Sequence, residues 1–413
     1  MAVKAGYKQT EVGIIPNEWD ISSCSAISER IMVGIVIRPS QYYVKNGVPA
    51  FRSANIREEG INDLDLVFIS EASNSVLSKS QTRTGDVLTV RTGYPGTSAV
   101  VRSKHAGCNC IDILITRPSN KVDSEWLAIW INSPFGKEQV LRNQGGLAQK
   151  HFNVGDLRNL VVALPPLPEQ RAIAAALSDM DALLSGLDQL IAKKRDLKQA
   201  TMQQLLTSQT RLPGFSGEWE VKRIGDVCEI RSGGTPSTTQ PNFWDGDVPW
   251  CTPTDITALR GHKYLTKTAR TISSVGLQTS SAEVIPSRSL IMTSRATIGA
   301  CAINLIPMTT NQGFKNLVPF AQYDVEFLYY LMTTQEPGLI ALCGGSTFLE
   351  IGKKQLSIYE IFLPRERSEQ TAIAAVLSDM DAELAALEAR REKTRSLKQA
   401  MMQELLTGRT RLV

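Results

Sequence analysis

Three histidines, seven cysteines and one glycine-rich pentapeptide are the first places to look for chemistry in this 413-residue chain. His105, His151 and His262 lie far apart, and none sits in an H-x-E or H-x-x-x-H pattern that would put a zinc ligand pair on one helix face. Each reads as a surface or satisfied core histidine. The cysteines at 24, 108, 110, 228, 251, 301 and 343 form no C-x-x-C pair, and Cys108 with Cys110 lacks partners at metal spacing. They read as reduced thiols. Gly233-Gly234-Thr235-Pro236-Ser237 has the look of a phosphate cradle, but no Lys follows and Pro236 removes an amide donor. A loop presenting polar side chains to a partner is the preferred reading, with plain turn chemistry beside it. A G-x-x-x-x-G-K-[ST] loop, an Asn-Pro-Pro or Asp-Pro-Pro motif and a G-x-S-x-G elbow are all absent from the sequence.

Composition narrows the class without naming a function. The apolar fraction of 42% and charged fraction of 21% are those of a globular protein, which excludes disorder and fibres. A length of 413 residues implies more than one core. No apolar run approaches the roughly 20 residues that span a bilayer, and Met1-Ala2-Val3-Lys4 leads into polar sequence, so the expectation is a cytoplasmic protein with no membrane contact. The net charge of +4 is weaker than a small DNA-binding domain carries and decides nothing.

The organising feature is a repeat. Residues 169–212 align without a gap on residues 369–412, with 28 identities in 44 positions. The same offset of 200 relates Glu18-Trp19 to Glu218-Trp219 and Val48-Pro49 to Val248-Pro249, while Trp126-Leu127 meets Phe327-Leu328 at 201. Residues 57–125 and 257–326 diverge almost completely. The chain is a duplication in which one part of each copy is fixed and one is free.

The fixed part predicts a helix of about 39 residues, roughly 60 Å long. Pro165, Pro166 and Pro168 precede the first copy and Pro364 the second; Thr207-Ser208 and Thr407-Gly408 close them. Ile173, Leu177, Met180, Leu184, Leu187 and Ile191 recur at heptad spacing, and Ile373, Leu377, Met380, Leu384 and Leu387 repeat the pattern. A helix cannot bury such a stripe against itself, so the two are expected to pair. Acidic residues lead (Asp179, Asp181, Asp188; Asp379, Asp381, Glu383, Glu388) and basic residues follow (Lys193, Lys194, Arg195, Lys198; Arg390, Arg391, Lys393, Arg395, Lys398), which favours an antiparallel pair. The charge runs otherwise read as a solvated face, with contact to DNA phosphates or a partner subunit as the alternative. The later apolar positions, Leu197, Met202, Leu205 and Leu206 with Leu397, Met401, Leu405 and Leu406, slip from the heptad and are expected to pack on globular neighbours.

Residues 1–167 and 209–366 then form two globules, with helical segments at 168–208 and 367–413. Short β-rich runs at 86–90, 98–101, 111–116, 289–293 and 300–306 are separated by turns such as Thr92-Gly93-Tyr94-Pro95-Gly96, and helices are expected at 124–131 and 325–332. Each globule reads as α+β.

With these features in place, the chain resembles the specificity subunit of a Type I restriction-modification system over its full length. The residues carrying the resemblance are Leu164-Pro165-Pro166-Leu167-Pro168-Glu169-Gln170, the repeated Leu-Leu-Thr, and Ser232-Gly233-Gly234-Thr235-Pro236-Ser237 with Val248-Pro249-Trp250. Copy two departs at Leu363-Pro364-Arg365-Glu366-Arg367 but keeps Glu369-Gln370. The resemblance implies two α+β target-recognition domains separated by two long antiparallel helices, as a tandem pseudo-twofold repeat of about 200 residues. It implies that each globule reads one half of a bipartite asymmetric double-stranded DNA target, and that the helix pair sets the spacer and docks two modification subunits. The chemistry is then expected elsewhere. Modification subunits bring S-adenosylmethionine to a flipped adenine, restriction subunits bring ATP and Mg2+ for translocation and cleavage, and this chain holds no cofactor or metal. A non-enzymatic coiled-coil adaptor joining two protein-binding globules is the alternative; it would lack salt-dependent DNA affinity. An enzyme with an unfamiliar site would need clustered titratable residues that the sequence does not offer.

Arg and Lys suit guanine, Asn and Gln suit adenine, and hydroxyls serve either. On that chemistry the candidate base readers in turn-like positions are Arg52, Arg91, Tyr94 and Lys150, and in the second globule Arg231, Ser232, Thr235, Thr254, Arg295 and Lys315.

Overall fold

The computed structural model of the protein describes residues 5–142, 151–343 and 349–412. The chain condenses into two compact units, residues 1–189 with 389–413, and residues 190–388. Each unit therefore contains one globule and stretches of both long helices.

In the first unit, strands Ser28–Val33 (β1), Val87–Val90 (β2), Ser98–Val100 (β3) and Ile113–Pro118 (β4) form an antiparallel sheet in the order β3-β2-β4-β1. All four residues of β2 are buried, as a central strand of Val-Leu-Thr-Val demands. Its one polar side chain, Thr89, is satisfied at 2.8 Å by the Ser98 hydroxyl. The helix Ser124–Asn132 packs against β3, with the Asp123 carboxylate accepting from the Glu125 and Trp126 amides at its N-terminus.

The second unit builds the same sheet again. Cys228–Ser232 (β5), Leu290–Met292 (β6), Cys301–Asn304 (β7) and Lys315–Pro319 (β8) pair antiparallel in the order β5-β8-β6-β7, and Tyr264–Leu265 adds a parallel edge beside β7. Its helix Val325–Thr333 is capped by Asp324, which accepts from the Phe327 amide. A smaller sheet accompanies each large one, and Trp250 pairs with Thr309 in parallel as Ala50 does with Asn109. The strand runs and the two helices read from sequence lie where expected, within a residue or two.

The long helices span Leu167–Leu205 and Arg367–Leu405, 39 residues each. Both copies open on the same device. The Gln170 amide donates to Pro165 O at 2.9 Å and accepts from the Asp123 amide at 2.8 Å; Gln370 donates to Pro364 O and accepts from the Asp324 amide, both at 2.9 Å. One buried glutamine thus ties the preceding strand to the cap of the globular helix, which is why Glu-Gln stands at both starts. Both helices end in a left-handed residue, Ser208 at φ +61° and Gly408 at φ +64°.

Within each unit the helix segments run antiparallel. In the first, Asp181 pairs with Lys398, and Asp188 with Arg391 at 3.1 Å. In the second, Lys194 pairs with Glu383 at 2.7 Å and Lys198 with Asp381 at 2.5 Å. As the residue number rises along one segment, that of its partner falls. These pairs are partly exposed, so each contributes at most about 1 kcal/mol and serves mainly to set direction.

The stripe read as a helix seam divides by depth. Ile173 and Leu177 are buried in the first globular core with Trp19, Trp126 and Phe152, alongside Leu405 and Leu406. Ile373 and Leu377 enter the second core with Phe327, Tyr330 and Leu317, alongside Leu205 and Leu206. Leu187 and Ile191 are buried further along, whereas Met180, Leu184, Met380, Leu384 and Leu387 are half-buried. The stripe therefore begins as globular core, because a helix lying on a globule must spend its first turns there. The expectation that the later turns pack on globules holds for Leu205, Leu206, Leu405 and Leu406. It fails for Leu197 and Leu397, which are 51% and 53% exposed. Among the described residues no helix is long and apolar enough to cross a membrane.

Candidate nucleic-acid interface

The link from β2 to β3 and the link from β6 to β7 are one turn built twice. In the first, Val90 N donates to Thr97 O at 2.8 Å and Gly96 N to Val90 O at 3.0 Å; in the second, Thr293 N donates to Ala300 O at 2.9 Å and Gly299 N to Thr293 O at 3.0 Å. The third turn position is left-handed in both, Gly93 at φ +86° and Ala296 at φ +61°. A passing segment braces each base: Phe152 N donates to Arg91 O at 3.0 Å and Ile351 N to Ser294 O at 3.1 Å.

On this frame the candidate readers sort into braces and exposed tips. Arg91 is a brace. Its guanidinium is held by Asp112 at 2.6 Å and Asn153 at 3.0 Å, so it is not free for a base as its type suggested. Tyr94 is the tip of the same turn, 83% exposed, beside a cleft lined by Ser53, Ala54, Ile56 and Arg57. Arg52 borders that cleft in sequence, but it donates to Asp65 O at 2.6 Å. Lys150 lies outside the described residues.

In the second unit, Arg295 is the exposed tip residue and pairs with Glu350 at 2.8 Å. Lys315 stands 3.9 Å from the same carboxylate, but its side chain is only 7% exposed. Burial pushes its amine below the ordinary lysine value, assisted by the charge of Arg295 and opposed by Glu350. Lys315 is thus a buried support and not the surface reader expected. Ser232 sits opposite it in the β5–β8 register. Arg231 is engaged by Glu229 at 2.7 Å and Val284 O at 3.1 Å. Thr235 donates to Gln312 Oε1, and Thr254 is exposed on the short helix Pro253–Ala258.

The Gly233-Gly234 pair is packed inward. A Cβ on Gly233 would lie 1.9 Å from Asn311 O, and one on Gly234 would lie 2.4 Å from the backbone at Ser281 and Ala282. Trp250 Nε1 donates to Gly234 O at 2.9 Å. The loop is glycine because backbone passes against backbone, which favours the turn reading over a loop displayed to a partner. Sequence reading missed the acceptors that hold these arginines, Asp112, Asn153 and Glu350. Among the described residues no cluster of His, Cys, Asp and Glu could hold a metal ion.

The sequence matches the Type I restriction modification DNA specificity domain over residues 109–194 and 216–395, and the chain belongs to that family. It is 40% identical over 166 residues to the Type I restriction enzyme MjaIX specificity subunit of Methanocaldococcus jannaschii, an alignment spanning 40% of this chain and 38% of that protein. A second such specificity subunit of the same organism, MjaX, aligns at 24% identity over 425 residues, 98% of this chain and 97% of that one. Among solved structures, the HsdS subunit from Thermoanaerobacter tengcongensis is similar at a TM-score of 0.51 and 21% identity, covering 95% of this chain and 98% of that one. The S subunit of a Type I restriction-modification system from M. genitalium gives a TM-score of 0.59 at 13% identity, with 98% of each chain covered. At these identities the structures speak for the fold.

Proposed function

We infer that this chain is the sequence-specific DNA-recognition subunit of a Type I restriction-modification complex. Each globule reads one half of a bipartite asymmetric target, and the long helices set the spacer and dock two modification subunits. The observation that carries this reading is one strand-and-turn frame built twice in a chain of this family, with unrelated polar and aromatic residues at its tips. Two half-sites of different sequence need different base contacts on one scaffold. Methyl transfer from S-adenosylmethionine then belongs to the modification subunits, and ATP- and Mg2+-dependent translocation and cleavage to the restriction subunits. The chain itself is non-catalytic and works in the cytoplasm.

The test has two arms. Reconstituted with modification subunits, the chain is expected to bind duplex DNA with an affinity that falls steeply as salt rises, because phosphate contacts dominate. Methylome sequencing of a host with and without the gene is expected to show one bipartite motif that disappears with it. Methyl transfer by the chain alone, or an unchanged methylome, overturns the reading.

A further inference from the structure

We propose that the turns 91–96 and 294–299 are the base-reading tips of the two globules, and that Arg295 reads a guanine after leaving Glu350, which holds it in the free protein. The proposal deepens the DNA-recognition reading and rests on it.

The first ground is that geometry persists where sequence does not. The turns share no residue but their closing glycine, yet they share every backbone hydrogen bond described above and the left-handed third position. At that position the first turn uses glycine, whereas the second holds an alanine at φ +61° with no polar side chain to support it. Such a conformation is costly for an L-residue and persists only where the surroundings dictate the turn. What is kept at that cost is the direction in which the tip side chains leave the sheet.

The second ground is rigidity beneath the tips. All the residues of β2 and β6 are buried, and the brace at each base is internal. Arg91 is spent on Asp112 and Asn153, and Ser294 N donates to Gly313 O at 2.7 Å. A reader fixed at its base discriminates better, because misplacement of even 1 Å spoils a bidentate contact. The side chains at the equivalent second and fourth positions differ completely: half-buried Thr92 and exposed Tyr94 in one turn, exposed Arg295 and Thr297 in the other.

The third ground is the state of Arg295. A guanidinium fork wants two acceptors in one plane; a carboxylate offers them, and so do O6 and N7 of guanine. Adenine presents N7 beside an amino donor and cannot replace a carboxylate. Among base edges, Glu350 is therefore a competitor that Arg295 leaves for guanine, so discrimination between bases is a difference between two bound states. Lys315, 3.9 Å away, stays behind to face the Glu350 charge once Arg295 has moved.

The experiment uses the complex reconstituted with modification subunits, bound to duplexes randomised across both half-sites and sequenced after selection. R295A is expected to lose guanine preference at one position of one half-site by about 10- to 100-fold, leaving the other half-site unchanged. R295K, which keeps the charge but not the fork, is expected to lose part of that preference. Y94A is expected to alter the other half-site only. E350Q is expected to raise affinity for guanine and so widen its margin over the remaining bases, where Arg295 would have stayed with Glu350. Unchanged preferences in both R295A and Y94A overturn the proposal while the DNA-recognition reading stands, and unchanged discrimination in E350Q overturns the competitor role. A wild-type complex with no base preference overturns the functional reading and this proposal together.

Discussion

Arg411 clasps the buried carboxylate of Glu169, 242 residues earlier, through two hydrogen bonds, the Nη2–Oε2 contact at 2.8 Å. Trp19 Nε1 donates to the same carboxylate at 3.1 Å. In the other unit, Arg211 holds Glu369 at 2.6 and 2.7 Å, and Trp219 donates at 3.3 Å. Each glutamate opens one long helix, and each arginine follows the end of the other.

Removing the cation leaves a carboxylate that is 0% exposed without its counter-charge, held by the Trp19 indole N–H. Arg411→Ala is expected to destabilise the first unit by about 3–5 kcal/mol, and Arg211→Ala the second by a similar amount. Urea unfolding followed by tryptophan fluorescence, which reads Trp19 and Trp219, checks this. A loss below about 1 kcal/mol would mean that water reaches the carboxylate.

A fragment of residues 1–212 is expected to homodimerise. The first core takes Leu405, Leu406 and Arg411 from the second copy, and the fragment carries Leu205, Leu206 and Arg211 at the same positions of its own copy. Lys198 can serve Asp181 as Lys398 does, although Ile191 replaces Arg391 opposite Asp188. A second copy thus supplies what the first lacks, in a twofold contact. Light scattering gives the mass, and methylation mapping is expected to return a palindrome of the first half-site.

Acid is expected to weaken the second unit through Glu326. Burial alone would raise its pKa, but hydrogen bonds from Lys263, Tyr264 and Arg288, with the charge of Lys263, outweigh this and hold it below the ordinary glutamate value. A carboxylate depressed in the folded state stabilises fully above its unfolded value and loses that contribution as pH falls through the folded one. Urea midpoints between about pH 3 and about pH 6 are expected to fall less steeply in Glu326→Gln than in the wild type. At neutral pH, Lys263→Met is expected to cost about 3 kcal/mol, and much less in the Glu326→Gln background.

Gly408 and Ser208 make a matched pair. An added Cβ at Gly408 would lie 2.4 Å from Pro16 Cγ, so Gly408→Ala is expected to cost about 1–3 kcal/mol. Ser208→Gly is expected to be neutral or stabilising by up to about 1 kcal/mol, since it relieves an L-residue at φ +61°. Thermal melts of the two variants are expected to move in opposite directions.

The helices were legible because their information is local: heptad spacing, prolines before, and a left-handed residue after. The strand runs were legible for the same reason. What burial pairs with what was not. Leu205 reads as apolar and slipped from the heptad, but nothing near it says that it enters the core built around Phe327. Arg91 has the right chemistry for guanine, yet its acceptors Asp112 and Asn153 lie 21 and 62 residues further on, and only the folded turn brings them to it. Lys315 begins the strand Lys-Asn-Leu-Val-Pro, where composition gives no hint that the amine ends inside. The pairing of Arg211 with Glu369 was hidden in plain repetition, because Thr-Arg-Leu at 210–212 and 410–412 lies past the residues that close each helix and carries no local sign of its partner.

The division of the chain also orders its birth. Residues 190–388 leave the ribosome as one uninterrupted stretch, so the second unit has every part of its core in hand while synthesis continues. The first unit, begun earlier, must wait. Until residues 389–412 emerge, Leu405 and Leu406 are missing from its core, and Glu169 lies beneath Trp19 with no cation. The globule translated first is thus the one that closes last, and a nascent chain halted near residue 388 would present one finished unit and one with an open apolar face and an orphaned charge.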